Sequence, residues 1–212
     1  MAAGTFTTAT LTADDAVLSN LKVGDTYYKC TAAGFTSFFH SQAYGKWEFS
    51  WKKVADAAGS LIIKFISQDQ LEPANSDNGY YVLHGNKTFT FAKLVAGAPE
   101  TLFSSNNTIM PDSSNTWYSL RVQRSIDNFF YVFLKGGEFG DNYSLLTATS
   151  GSNPVQDSEF TSGDYFTLSV AVGDGFMWTP DERLTSIGGT QLGVNPLIEA
   201  IPKTAGAVSL NV

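Results

Sequence analysis

The chain has one cysteine in 212 residues, Cys30, so no intrachain disulfide can staple it. Charge is scarce as well, at 16% of residues against the roughly 25% of an ordinary globular chain. Amphipathic helices need a charged face, so this shortage argues against a helical bundle. Among the few charges acids prevail, and the net charge is −7. Nucleic acids and anionic membrane surfaces reward the opposite sign, so neither is an expected partner. No apolar run approaches the roughly 20 residues of a membrane span. The opening Met1-Ala2-Ala3-Gly4-Thr5 has neither a basic n-region nor an apolar h-region. It reads as the start of a chain without a signal peptide, made in a reducing cytoplasm.

What the sequence has in plenty is aromatics, at 14%, with 16 Phe and 9 Tyr, together with 19 Gly. Aromatic side chains suit strands and glycines suit tight turns, which points to an all-β domain. The pattern agrees from Tyr27 onward. In Tyr44 to Trp51, Trp47, Phe49 and Trp51 fall on one face and Lys46, Glu48 and Ser50 on the other. Leu61 to Ser67 is a β-branched and aromatic run. Gly79 to His84 and Lys87 to Val95 are strands joined by a Gly85-Asn86 turn, with Phe89 and Phe91 turned inward. Trp117 to Arg124 sends Tyr118, Leu120 and Val122 inward. Phe129 to Lys135 is almost wholly apolar, as a strand covered on both faces would be. Tyr143 to Thr149 and Asp164 to Gly173 complete about ten short strands, an arrangement that reads as an antiparallel sandwich.

Several of these pieces, in order, resemble a known family. Tyr44-Gly-Lys-Trp-Glu-Phe, Ile62-Ile-Lys-Phe-Ile-Ser, Gly79-Tyr-Tyr-Val-Leu, Thr116-Trp-Tyr-Ser-Leu-Arg-Val-Gln-Arg and Asn128-Phe-Phe-Tyr-Val-Phe-Leu-Lys-Gly-Gly are similar to a concanavalin A-like, laminin-G-like jelly roll. The resemblance covers residues 27–178 and implies two antiparallel sheets. The phrase Lys135-Gly-Gly-Glu-Phe-Gly resembles phage and viral structural proteins. It implies a virion component, of capsid-decoration or head-fibre type, with capsid or other virion proteins as partners.

Residues 1–26 and 179–212 lie outside that body and read as arms. Ala13 to Leu21 is long enough for two helical turns. The C-terminal arm holds three of the seven prolines and carries Leu184, Ile187, Leu192, Val194, Leu197, Ile198, Ile201, Val208 and Leu210. So many apolar groups ask for a cover, and a homo-oligomer contact is the expectation.

Catalysis finds little footing. Glycoside hydrolysis needs two carboxylates flanking the scissile bond, whereas Glu48 is the lone acid of its strand face. Asp157 and Glu159 are two apart, but in a Ser/Gly/Pro-rich turn. His40 and His84 each lack a second ligand at metal spacing and read as surface or turn residues. The expectation is therefore a protein that is not an enzyme. Arg121 and Arg124 read as solvated or paired with acids. Trp47, Trp51 and Trp117 read chiefly as core. Trp117 and Trp178 are the candidates for stacking on a sugar ring, Trp178 being the one expected outside the regular strands. Asp141 and Asn142 set oxygen ligands on a glycine-rich turn, a weak calcium candidate, since the same residues are common in turns for conformational reasons. A glycan-binding lectin-like module that stands alone, and a polysaccharide-degrading enzyme of the same fold, are the alternatives to the virion reading.

Overall fold

Alternation becomes strand along most of the chain. The computed structural model describes residues 6–10, 26–30, 34–39, 43–53, 61–68, 77–85, 87–106, 116–170 and 176–179. Fifteen strands run through them. The first eight are β1 Phe6–Thr10, β2 Thr26–Cys30, β3 Gly34–Phe39, β4 Gly45–Lys53, β5 Leu61–Ser67, β6 Gly79–His84, β7 Phe89–Val95 and β8 Ala98–Ser105. Then come β9 Trp117–Arg124, β10 Phe129–Lys135, the short β11 Ser144–Leu145, β12 Ser150–Gly151 and β13 Val155–Gln156, and finally β14 Tyr165–Val170 and β15 Phe176–Thr179. One 3-10 turn, Gly137–Phe139, follows β10.

The strands form two antiparallel sheets, the jelly-roll sandwich expected from the sequence. The first sheet runs β1-β2-β15-β4-β9-β10-β11, with β13 also on β10, and the second runs β12-β8-β7-β6-β5-β14-β3. Inward residues of both sheets merge into one core that includes Trp47, Trp51, Phe65, Tyr80, Phe91, Tyr118, Leu120, Val122, Phe130 and Val132. Its rings meet at close range: Trp47 lies 5.3 Å from Phe65, and Phe91 lies 5.1 Å from Phe130. The Phe49 side chain, expected beside Trp47 and Trp51, lies outside the described residues.

The outer edge of β10 is divided between two partners. Phe133 and Leu134 pair with β11, while Phe129 and Phe130 pair with β13. Asn153 fills the gap between them. Its side-chain amide donates to the carbonyls of Val132 and Leu146, both at 2.8 Å, and its Oδ1 accepts the Val132 amide at 3.1 Å. This explains why the strand expected over Tyr143 to Thr149 shrinks to two residues: beyond Leu146 the edge is already occupied.

Phe6–Thr10, within the expected N-terminal arm, is a strand hydrogen-bonded to β2 at the margin of the first sheet. The helical turns expected over Ala13 to Leu21, His40, and the C-terminal arm beyond Thr179 lie outside the described residues. Trp178 is not outside the regular strands. It belongs to β15, in register with Tyr28 on one side and Trp51 on the other, because β15 inserts between β2 and β4.

Candidate functional site

The outer face of the first sheet is laid out by the registers of β4, β9, β10 and β11. Glu48 stands opposite Arg121, Arg121 opposite Phe133, and Phe133 opposite Leu145. Those four positions make one row across the sheet. The next row is Ser50, Ser119 and Lys135, and Tyr143 enters beside it from the segment just before β11.

Within these rows the charged groups are organised. Arg121 Nε donates to Glu48 Oε1, and the pair is partly open to solvent, at 29% and 20% exposure. The Arg121 guanidinium also sits 4.0 Å from the centre of the Tyr143 ring, and Lys135 Nζ lies 5.0 Å from the same centre. A ring face is electron-rich, so two cations around one tyrosine are mutually tolerable and fix its position. The Ser119 hydroxyl bonds the Tyr143 oxygen. Burial, with Glu48 nearby, drives the Tyr143 hydroxyl far above its ordinary range, so it stays a neutral donor. Burial pulls the Lys135 ammonium below its ordinary value, against the pull of Glu48 and Asp141. Leu145, 41% exposed, is the one large apolar side chain left open among the described residues, and it closes the Glu48 row.

The face is open at one end and sealed at the other. Lys46, Gln123 and Tyr131 are half-buried, whereas Ser50, Ser119 and Lys135 are buried. Beyond them Trp117, opposite Lys52, is wholly enclosed. Trp117 is thus buried as expected, but on the outer side of the sheet, its neighbour Tyr118 being the one that enters the central core. An enclosed ring offers no face to a sugar. The Trp178 side chain lies outside the described residues. Asp141 and Asn142 are both exposed in the bend after the 3-10 turn. Among the described residues no group of three or more His, Cys, Asp or Glu side chains converges on a metal position.

Two further residues differ from their sequence reading. His84 is buried, not a surface residue, and its Nδ1 accepts the Trp51 indole N–H at 2.9 Å. Trp51 comes from the opposite sheet, which the local sequence around His84 could not disclose. Arg124 is fully buried rather than solvated. Its Nη1 donates to the carbonyls of Ala43 and Phe160, and its Nη2 to Asn128 Oδ1 at 2.9 Å and the Asp157 carbonyl at 3.3 Å. The rings of Tyr44, Phe130 and Tyr80 surround its guanidinium at 4.6, 4.7 and 5.2 Å.

Asp157 and Glu159 belong to this sandwich end and not to the sheet face. Asp157 accepts the Tyr80 hydroxyl and Lys93 Nζ, while Glu159 is half-exposed at the margin of the same lysine. Sequence alone does not mark Tyr143 and Lys135 as site residues. The Lys135-to-Tyr143 segment has the composition of a turn, and nothing in it signals a return across the sheet.

No protein-family model matches the chain, and no curated protein sequence is similar to it. Solved structures do share its fold. The carbohydrate binding module CBM66 from Bacillus subtilis superposes with a TM-score of 0.51 at 17% identity, over 84% of this chain and 92% of that one. Bacillus licheniformis beta-glucanase gives 0.45 at 9% identity, over 83% and 89%. Sheep galectin-11, in complex with glycerol, gives 0.42 at 9%, over 69% and 97%. The likeness to the first of these shows the fold alone, a two-sheet jelly-roll sandwich of the concanavalin A-like kind.

Proposed function

We propose that this domain is a non-enzymatic glycan-binding module, and that it binds through the outer face of the first sheet around Glu48, Arg121, Tyr143 and Leu145. The observation that carries the reading is the Glu48 row. A carboxylate and a guanidinium, each holding the other in place, present acceptors and donors on a partly open face, and exposed Leu145 lies at the end of the same row. Sugars offer that combination: hydroxyls at the rim and an apolar C–H face. Pre-positioned polar groups lose little entropy on binding.

Binding is favoured over hydrolysis by what surrounds Glu48. Its neighbours on the same face of β4 are Lys46 and Ser50, and across the ladder it meets Arg121. A hydrolase needs a second carboxylate set across the scissile bond, with one of the two kept protonated. The fold shared with a carbohydrate-binding module is compatible with this reading. Display on a virion is the part of the proposal that draws on sequence alone, from the Lys135-Gly-Gly-Glu-Phe-Gly phrase and the apolar arm 179–212.

A glycan array probed with wild type and Glu48→Ala tests the reading, with reducing-end release measured on every glycan bound. Binding that disappears in Glu48→Ala, with no release, is the expected result. Release by wild type that stops in Glu48→Ala makes the protein a hydrolase. Retention of every glycan by the variant moves the site elsewhere.

A further inference from the structure

We propose that Lys64 and Asp77 become joined by an intramolecular isopeptide bond between Lys64 Nζ and Asp77 Cγ. Lys64 is the one charged residue of β5 and stands opposite Tyr81 of β6 and Thr167 of β14. It is on the outer side of the second sheet, where Tyr81, Ala92 and Leu94 form a small buried apolar cluster. Its Nζ lies against Asp77 Oδ2, and both side chains are 0% exposed. Thr167 is equally buried.

Asp77 is held as an acyl donor would need to be. Its Oδ1 accepts the Asn78 amide at 2.7 Å, its Oδ2 lies 3.3 Å from the Ser67 hydroxyl, and its own carbonyl takes the Gly97 amide at 2.9 Å. The carboxyl group is thus fixed with one oxygen on an N–H donor and the other turned to the amine.

Enclosing an ion pair of this kind is expensive, because neither charge keeps its hydration. Without water the neutral amine and neutral acid are favoured, and those are the forms that condense. Nζ adds to Cγ, and the charge that develops on Oδ1 is met by the Asn78 N–H. The Cγ–Oδ2 bond then breaks. Oδ2 departs as water, carrying its own acid proton and the proton Nζ gives up, passed directly or through the Ser67 hydroxyl. An amide remains, no oxidant or co-reactant is consumed, and both buried charges are gone. Fixed proximity supplies what a free amine and acid lack. The bond would tie β5 to the approach to β6 and close residues 65–76 into a ring.

Denaturing intact-mass spectrometry of the full chain decides this, with tandem mass spectrometry of a tryptic digest. Wild type should be one water lighter than its sequence mass, and the digest should hold a branched peptide uncut at Lys64 and linked to Asp77. Lys64→Arg should have its full sequence mass, and Asp77→Asn should lose ammonia in place of water. These readings need no folded variant, since wild type alone gives the primary answer. A wild-type mass equal to the sequence overturns the proposal. So does a water loss that persists in Lys64→Arg, which would mark a succinimide instead.

Discussion

Arg121 and Arg124 stand three residues apart on one strand and do opposite things. The odd spacing sends them to opposite faces of the first sheet. Arg121 reaches the outer face, keeps part of its surface in solvent, and is held by one carboxylate and one ring. Arg124 turns inward at the end of the sandwich, loses all its exposure, and is surrounded by carbonyls and three rings. A buried guanidinium is tolerable only when most of its donors are occupied, and four acceptors from three loops take the two terminal nitrogens, leaving Nε buried among the rings. The difference separates structure from function. The inner arginine ties loops together, and the outer one is left with donors to offer a ligand.

The sharpest way to break this contrast is to remove the inner arginine. Arg124→Ala leaves the Ala43, Phe160 and Asp157 carbonyls without their donor and a void among Tyr44, Tyr80 and Phe130. It should cost about 3–5 kcal/mol in urea unfolding. A cost below about 1 kcal/mol would show that the loops do not depend on it.

Asp157 is next in size. Desolvation alone would raise its carboxyl, but Lys93 and Tyr80 outweigh it and hold it below the ordinary 3.8. A depressed carboxylate stabilises the fold above the unfolded-state value, and that share is lost as pH falls through the folded-state value. Asp157→Asn should therefore cost about 1–3 kcal/mol at neutral pH. It should also flatten the acid limb of a melting-temperature profile below about pH 4. An unchanged acid limb would remove Asp157 from the account.

Much of the fold was legible because one face of each strand meets the core. Trp47 and Trp51, Phe89 and Phe91, and Tyr118, Leu120 and Val122 each announce an inward side by period alone. β8 was not legible, since it opens on Ala98, Pro99 and Glu100, all exposed, and gains apolar character only at Leu102 and Phe103. The burial of Arg124 and His84 is hidden from the sequence for a common reason. A polar residue near a strand end is ordinarily solvated, and what buries these two comes from far along the chain, Phe160 and Asp157 in one case and Trp51 in the other. Of the site, Glu48 was visible as a lone acid on its face. Its partner Arg121 needed the β4–β9 register, and Tyr143 needed the return of the chain to β11.

The smallest structural effect and the largest functional one should coincide in Arg121→Ala. A partly exposed ion pair contributes at most about 1 kcal/mol, so the melting temperature should move by only a few degrees. Affinity for a glycan identified on the array should nevertheless fall at least about tenfold in isothermal titration, about 1.4 kcal/mol. Titration and melting of this one variant, side by side with wild type, test the assignment of the outer face most directly. Lost binding with a nearly unmoved melting temperature is the predicted result. Wild-type affinity in Arg121→Ala would contradict it.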